Sequence, residues 1–355
     1  MKIAYIVPGL DPTGPIFVVQ SLVSSLVEMN YSVIVYYLNN RDTEIKFKCE
    51  TKLLDKKKCI NFSQYDIVHT HCFSADKYVY TNRKKLGKAK WVSTIHQDTI
   101  ASFKFKYPTI IATLLGKYWL HMQNHADGIV AISNQVKNIH QPYISNNIHT
   151  IYNGINTEID IIDSERRAYI NKSIKRIKDT GKNIIGTYAN IVKRKGLDQV
   201  IDCMVLNDNF CFVIIGEGEY KSVLQQRVND LGLSDRVYFF PFVASPYACL
   251  ENIDAYIMPS YSEGFGLALL ESAYVGKPII CSDLPSFNEL FTDSEAVYFK
   301  LNDIESLSHA INEALANGDK YSKKSQSKAS LFSKKNMAKK HLELYSTIQS
   351  NINEK

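Results

Sequence analysis

Twice along its 355 residues the chain alternates short β-branched and aliphatic runs with longer amphipathic stretches. That alternation is the pattern of βα units wound around a parallel sheet. The first set predicts strands at 2–7, 32–37, 66–69, 90–95, 128–132 and 148–152. Val19, Leu22, Val23 and Leu26 recur at helical spacing and give the first intervening helix an apolar stripe. The pattern then stops. Residues 160–182 are charged and helical in look, with Glu165, Arg166, Arg167, Lys172, Lys175, Arg176 and Lys178 and no strand signal, and are expected to form a linker. A second set predicts strands at 183–189, 210–215, 236–240, 255–258, 278–282 and 296–299. A polar, Lys/Ser-rich stretch at 317–335 leads into a last helix around 337–349. The chain is longer than one hydrophobic core usually organises, and its 45% hydrophobic residues suffice for two. The expectation is an α/β protein of two doubly wound, Rossmann-like domains facing a central cleft. Their bounds are 1–158 and 183–330, with a linker at 159–182 and a C-terminal helix at 331–355 that could pack back on the first domain.

Other features narrow the function. No apolar run approaches the roughly 20 residues a bilayer span requires, and residues 1–7 lead into a strand rather than a leader, so a cytoplasmic protein is expected. The 7 cysteines form no CxxC pair and read as reduced thiols. Net charge is only +6, but Lys46, Lys48, Lys52, Lys56, Lys57, Lys58, Lys84, Lys85, Lys88, Lys90, Lys104 and Lys106 all fall in the first third. Such a face could meet anionic lipid head groups or nucleic acid, or could be an ordinary solvated surface. Of the two ligands, peripheral contact with an anionic membrane is expected and nucleic acid is not. The segment from Phe103 to Pro108, followed by Ile110, Ile111, Leu114, Leu115, Tyr118 and Trp119, mixes aromatics, lysines and apolar residues. It suits an interfacial segment or a packed helix equally.

The most informative segment runs Pro259-Ser260-Tyr261-Ser262-Glu263-Gly264-Phe265-Gly266-Leu267-Ala268-Leu269-Leu270-Glu271. An expected strand ends at Met258, a loop with two glycines follows, and an apolar helix starts near Gly266. Backbone N–H groups at such a helix start can reach a pyrophosphate, because glycine presents no side chain to block the approach. Glu263 and Glu271 could then accept hydrogen bonds from sugar hydroxyls. The run from Gly9 to Pro15 spaces glycines like a P-loop, but Pro15 stands where a phosphate-binding lysine is needed, which disfavours a nucleoside triphosphatase. Gly216-Glu217-Gly218 opens like a dinucleotide fingerprint, yet Lys221 occupies the third glycine's place, which disfavours a dehydrogenase. His69 and His71 have a spacing that could suggest a metal, but no carboxylate or cysteine completes a set.

Glu263 and Glu271, with Glu-Gly-Phe-Gly in front and Gly276-Lys277-Pro278 behind, resemble the signature of the retaining GT-B glycosyltransferases of family 4, the group that includes bacterial polysaccharide and O-antigen synthases. Tyr152-Asn153-Gly154-Ile155, Ile214-Ile215-Gly216-Glu217-Gly218 and Lys195-Gly196-Leu197-Asp198 resemble further family motifs in the right order, over about residues 1–295. The resemblance implies a sugar transferred from a nucleotide sugar, with a UDP-sugar the favoured donor, to a glycan or polyprenyl-diphosphate-linked acceptor. It implies Lys195 beside the donor diphosphate, Glu263 on the hydroxyls of the transferred sugar, Glu271 on the ribose, and His96 facing the sugar. These make His96, Lys195 and Glu263 the expected catalytic residues. Gly14, Asn190, Gly216, Gly264, Phe265, Gly266 and Leu267 complete the expected donor site with Lys195, Glu263 and Glu271. Two departures stand out: Pro15 replaces the second glycine of the family's N-terminal pair, and Asn190 stands where many relatives carry Arg, leaving open whether Lys193 or Arg194 substitutes. No Asp-x-Asp occurs in the chain, and no metal or other cofactor is expected. A nucleotide-sugar 2-epimerase of the same fold, and a non-catalytic nucleotide-sugar-binding subunit of a heteromeric transferase, are the alternatives.

Overall fold

The computed structural model describes residues 1–40, 45–55, 60–105, 107–156 and 164–350, and all structural statements concern these. The chain divides into two compact units, Met1–Asn156 with Phe332–Lys355, and Thr157–Leu331.

The first unit begins with β1 (Lys2–Val7), α1 (Gly14–Glu28), β2 (Ser32–Tyr37), β3 (Glu50–Leu53), β4 (Ile67–His71) and α2 (Phe73–Thr81). It continues with β5 (Lys90–Ile95), α3 (Thr99–Lys104), α4 (Thr109–Gln123), β6 (Gly128–Ala131), α5 (Asn134–His140) and β7 (Ile148–Thr150). All pairings are parallel, in the order β3-β2-β1-β4-β5-β6-β7. Strands covered on both faces need near-continuous apolar runs, and β1 is buried at every residue after Lys2. β3 is the exception. Its sequence Glu-Thr-Lys-Leu is polar and largely exposed at the sheet edge, where charged residues guard an unpaired strand against association. That composition is why no strand is expected there.

The second unit runs α6 (Ser164–Lys178), β8 (Asn183–Tyr188), α7 (Leu197–Leu206), β9 (Phe210–Ile215), α8 (Lys221–Asp230), β10 (Val237–Phe240), α9 (Tyr247–Leu250) and β11 (Ala255–Met258). It closes with α10 (Leu267–Tyr274), β12 (Ile279–Ser282), α11 (Pro285–Asn288), β13 (Val297–Phe299), α12 (Ile304–Ala316) and α13 (Gly318–Ala329). Its parallel sheet has the order β10-β9-β8-β11-β12-β13. Phe210, Phe212 and Ile214 of β9 pack with Val200, Ile201, Leu307 and Ile311 from α7 and α12 in one core, where each fully buried side chain contributes about 1.5–3 kcal/mol over an exposed one.

One expectation is corrected. The segment expected as a linker is mostly α6, which buries Arg167, Ile170, Ile174 and Ile177 within the second unit. Its three isoleucines form a narrow stripe that the surrounding charges obscure, while residues 159–163 of that segment lie outside the described residues. The Lys/Ser-rich stretch that leads into the last helix is itself largely helical, as α13, with Tyr321, Ser325 and Ala329 buried.

The last helix, α14 (Lys334–Ser350), belongs to the first unit. Ile155 bridges Ser333 just before it, and Tyr345 on α14 meets the Tyr5 hydroxyl of β1 at 2.8 Å. A buried carboxylate organises the neighbouring layer. Asp76 of α2 accepts hydrogen bonds from Thr70, Ser93, Trp119 and Gln123, which tie α2 to β4, β5 and α4. Burial pushes its pKa up against those hydrogen bonds, to about 6.

Candidate active site

In the second unit the strand order reverses between β8 and β11, so the loops at their carboxyl ends diverge and leave room for a ligand. Gly196 lets the two loops meet. It has a φ of +62°, and a Cβ there would run into the Pro259 carbonyl oxygen, so no larger residue fits. Three hydrogen bonds lace the loops together: the Tyr261 N–H donates to the Arg194 carbonyl at 2.9 Å, the Gln199 amide to the Pro259 carbonyl at 2.9 Å, and the Arg194 guanidinium to the Ser262 carbonyl.

This packing brings Lys195 Nζ to 2.7 Å from Glu263 Oε1, with Arg194 Nη1 3.0 Å from the same oxygen and Ser260 Oγ donating to it at 3.0 Å. The Lys195 and Glu263 side chains are only 14% and 11% exposed, so solvent screens the pair weakly. Burial alone would raise the Glu263 pKa. The charges of Lys195 and Arg194, with hydrogen bonds from Lys195 and Ser260, outweigh it and hold the carboxylate at about 2. Arg194 therefore joins the cluster, whereas Lys193 is exposed. Asn190 is also exposed, and Gly216, in the turn after β9, lies against the Ala189 backbone beside it.

From Glu263 the chain passes Gly264 and Phe265, both buried, to Gly266, which precedes α10 with a φ of +103°. A Cβ on Gly266 would come within 2.9 Å of the Phe287 ring. Leu267 then opens α10, whose first N–H groups have no acceptor within the helix. Glu271 lies one turn further on, in a different environment. Burial lifts its pKa to about 8, and its hydrogen bond with Tyr247 only partly offsets that.

In the first unit Gly14 is the first residue of α1, with Pro15 inside the first turn, and a Cβ on Gly14 would meet nothing within 4 Å. His96 follows β5 and is half-buried. Its Nε2 lies 2.8 Å from Nδ1 of His71, the last residue of β4. Behind this pair, His69 Nδ1 meets the Tyr345 hydroxyl at 2.6 Å and His69 Nε2 the Thr94 hydroxyl at 2.7 Å. The His341 ring stands 5.5 Å from that of His69. Burial drives all four imidazoles below their ordinary pKa, His96 to about 3 and His341 to about 4, so the cluster is neutral near pH 7. Cys72, directly after His71, has a φ of +71° and ψ of 164°, a non-glycine strain of about 1–3 kcal/mol of the kind found at functional sites.

The expected residues thus fall into two groups: Asn190, Lys195, Gly216, Glu263, Gly264, Phe265, Gly266, Leu267 and Glu271 in and after the β8, β9 and β11 loops, and His96 and Gly14 in the first unit. His69, His71, His341, Tyr5 and Tyr345 join His96 without having been expected to. The sequence signal for the first two was the His-Thr-His at a strand end. Among the described residues no group of three or more His, Cys, Asp or Glu is arranged to hold a metal ion.

Models of two glycosyltransferase families match the chain, one in each unit: Glycosyltransferase Family 4 over residues 33–159 and Glycosyl transferases group 1 over 170–330. The chain belongs to the GT-B glycosyltransferases built from these two domains, and it is a transferase enzyme. Among its relatives is the O-antigen biosynthesis glycosyltransferase WclY of Escherichia coli, 30% identical over 323 residues that cover 89% of this chain and 90% of that one. The O-antigen chain mannosyltransferase RfbU of Salmonella typhimurium is 29% identical over 245 residues, 64% of this chain and 65% of that one. Solved structures share the fold, two of them over nearly the whole chain. HepE of Anabaena, in complex with UDP and glucose, superposes with a TM-score of 0.80 at 16% identity, covering 98% of this chain and 100% of that one. Sucrose-phosphate synthase of Thermosynechococcus elongatus does so with a TM-score of 0.82 at 17% identity, covering 99% and 100%.

Proposed function

We propose that this enzyme moves a sugar from a UDP-sugar to a glycan or polyprenyl-diphosphate-linked acceptor in the assembly of a bacterial surface polysaccharide, with retention at the anomeric carbon and without a metal. The carrying observation is the Lys195–Arg194–Glu263 cluster, two cations on one buried carboxylate at the switch point of the second sheet. As the bond from the anomeric carbon to the diphosphate breaks, the leaving oxygen takes the electron pair, and Lys195 with Arg194 stabilises the charge that builds there. The acceptor hydroxyl forms the new bond to the anomeric carbon and passes its proton to the leaving diphosphate oxygen. Glu263 holds hydroxyls of the transferred sugar, Glu271 the ribose, and the N–H groups at the start of α10 the diphosphate. The O-antigen names of the relatives support the pathway, and the UDP in the HepE complex supports the nucleotide.

A thermal-shift screen of UDP-, GDP-, ADP- and dTDP-sugars tests the donor, because a ligand bound only by the native state raises Tm. UDP-sugars should give the largest shift, and a larger shift with another nucleotide would replace the donor. Transfer should survive EDTA, and a requirement for added Mn²⁺ or Mg²⁺ would overturn the metal-free mechanism. Donor turnover that needs no acceptor would point to an epimerase.

The first unit also suits peripheral contact with an anionic bilayer. No helix among the described residues is long and apolar enough to cross a membrane. Phe103 packs against Phe73 and Trp119, as a core residue does. Phe105, Tyr107, Ile110, Ile111, Leu114 and Tyr118, however, are exposed, Ile110 at 77%. From residue 77 to residue 126 the sole acid is Asp98, against Arg83 and eight lysines, one of which, Lys106, lies outside the described residues, as do Lys56, Lys57 and Lys58. Basic residues near an anionic surface contribute about 1 kcal/mol each. Flotation with anionic liposomes at low salt should recover the wild type and lose the Ile110→Ser/Leu114→Ser variant. Equal flotation of both would leave this face without a membrane role.

A further inference from the structure

His71 and His96 share one proton across their 2.8 Å Nδ1 to Nε2 contact, and which ring donates decides what His96 can offer a ligand. His71 Nε2 is buried with no hydrogen-bond partner. If His96 donated, His71 would carry its own proton on that nitrogen and bury an N–H with no acceptor, the rarest kind of orphan. If His71 donates from Nδ1, the orphan is only a lone pair. His96 then has its Nε2 lone pair occupied and its proton on Nδ1, which has no partner among the described residues. The rings around the pair cannot easily reverse this. His69 lies 4.5 Å and Tyr5 5.9 Å from the His71 ring, while both His69 nitrogens are engaged by Tyr345 and Thr94. His341 is held through Nδ1 to the Met337 carbonyl at 2.9 Å. Burial of the cluster keeps the rings neutral, so a single tautomer and not an imidazolium bridges them.

We propose that His71 is a positioning residue that locks His96 in the Nδ1–H tautomer, so that His96 presents an N–H to a sugar oxygen and does not serve as a general base. The proposal rests on the reading of His96 as the group that faces the transferred sugar. The strained backbone at Cys72 fits it, since that turn follows directly on the ring that must be aimed.

The test uses the full-length enzyme labelled with ¹⁵N-histidine. Ring-nitrogen shifts report the tautomer of His96, whose signals are assigned by their loss in His96→Ala. In the wild type the proton should sit on Nδ1. His71→Asn, whose side-chain amide can still donate from about the same place, should preserve that tautomer. His71→Leu should move His96 toward Nε2–H and lower kcat/KM roughly tenfold, as for one misoriented hydrogen bond, and His71→Asn should recover most of the loss. A wild-type His96 protonated on Nε2 would overturn the proposal, as would a tautomer unchanged in His71→Leu. If His71→Leu fails to fold, the wild-type and Asn spectra still decide. Should the tautomer be as stated while His96→Ala transfers sugar at the wild-type rate, the pair stands and the placement of His96 against the sugar fails.

Discussion

The two units share a strand order around the switch point, yet the strand ends there carry opposite chemistry. In the second unit two cations and a carboxylate lie together, all partly buried, and their mutual attraction outweighs desolvation, so Glu263 stays ionised with a pKa of about 2. In the first unit three buried imidazoles and the half-buried His96 have no carboxylate beside them among the described residues, so desolvation prevails and His96 falls to about 3. One scaffold thus supplies a charged cluster and a neutral one, which on the proposed function stabilise a leaving group and orient hydroxyls respectively. Within the second unit the same rule separates the two glutamates, since Glu271, with Tyr247 but no cation beside it among the described residues, rises to about 8.

The largest effect should come from the charged side. Lys195→Ala should lower kcat by about 10²–10³-fold, as for removal of one preorganised stabilising group, with a smaller change in UDP affinity by calorimetry. Equal losses in both would make Lys195 a binding residue and break the division of labour. Next, Glu271→Ala should weaken UDP binding by about 1.5–3 kcal/mol, the worth of a hydrogen bond to a charged group. If Glu271 must ionise to take the ribose, wild-type affinity should also climb between pH 7 and pH 9, and Glu271→Gln should flatten that climb. A climb that persists in the Gln variant would remove Glu271 from the site.

The two glutamates should also pull stability in opposite directions with pH. Glu271 holds in the native state a proton that the unfolded chain has already lost above its ordinary value, so its contribution is fully present below that value and fades as pH rises toward 8. Glu263, depressed to about 2, contributes above the ordinary carboxylate pKa and loses that contribution as pH falls toward 2. Melting curves of Glu263→Gln and Glu271→Gln across pH should each lose one of these slopes and keep the other. The smallest effect belongs to the neutral side: at saturating donor, kcat should change less than about twofold between pH 6 and pH 7.5, because no histidine of the cluster titrates there. An inflection near the ordinary imidazole pKa that disappears in His96→Ala would show that the cluster is charged after all.

What the sequence makes legible follows from how locally each feature is encoded. Strands buried on both faces announce themselves as apolar runs, as in Phe210–Ile215, whereas the edge strand Glu50–Leu53 is exposed and reads as part of a basic loop. The apolar stripe of α6 is three isoleucines wide and lies hidden among lysines and arginines. Lys195 and Glu263 are recognisable because each sits in a glycine loop after a strand, and the loops' meeting follows from the reversal of strand order. The His71–His96 pair depends on register instead. β4 and β5 align His71 with Thr94, which sets His96 two residues beyond, at hydrogen-bonding distance. Only the pairing of those strands reveals that His-Thr-His reaches toward a neighbouring histidine.

The return of α14 to the first unit has a consequence for how the protein is made. Tyr5 and its partner Tyr345 are 340 residues apart, and at about 5–20 residues per second a ribosome needs roughly twenty to seventy seconds between them. Until then the sheet that starts the chain lacks the helix that covers Tyr5 and His69, while Thr157–Leu331 is an uninterrupted segment already complete. The second unit is therefore free to fold before the first is finished. The beginning of the chain waits, with part of its core open and within reach of chaperones, for the last helix to emerge.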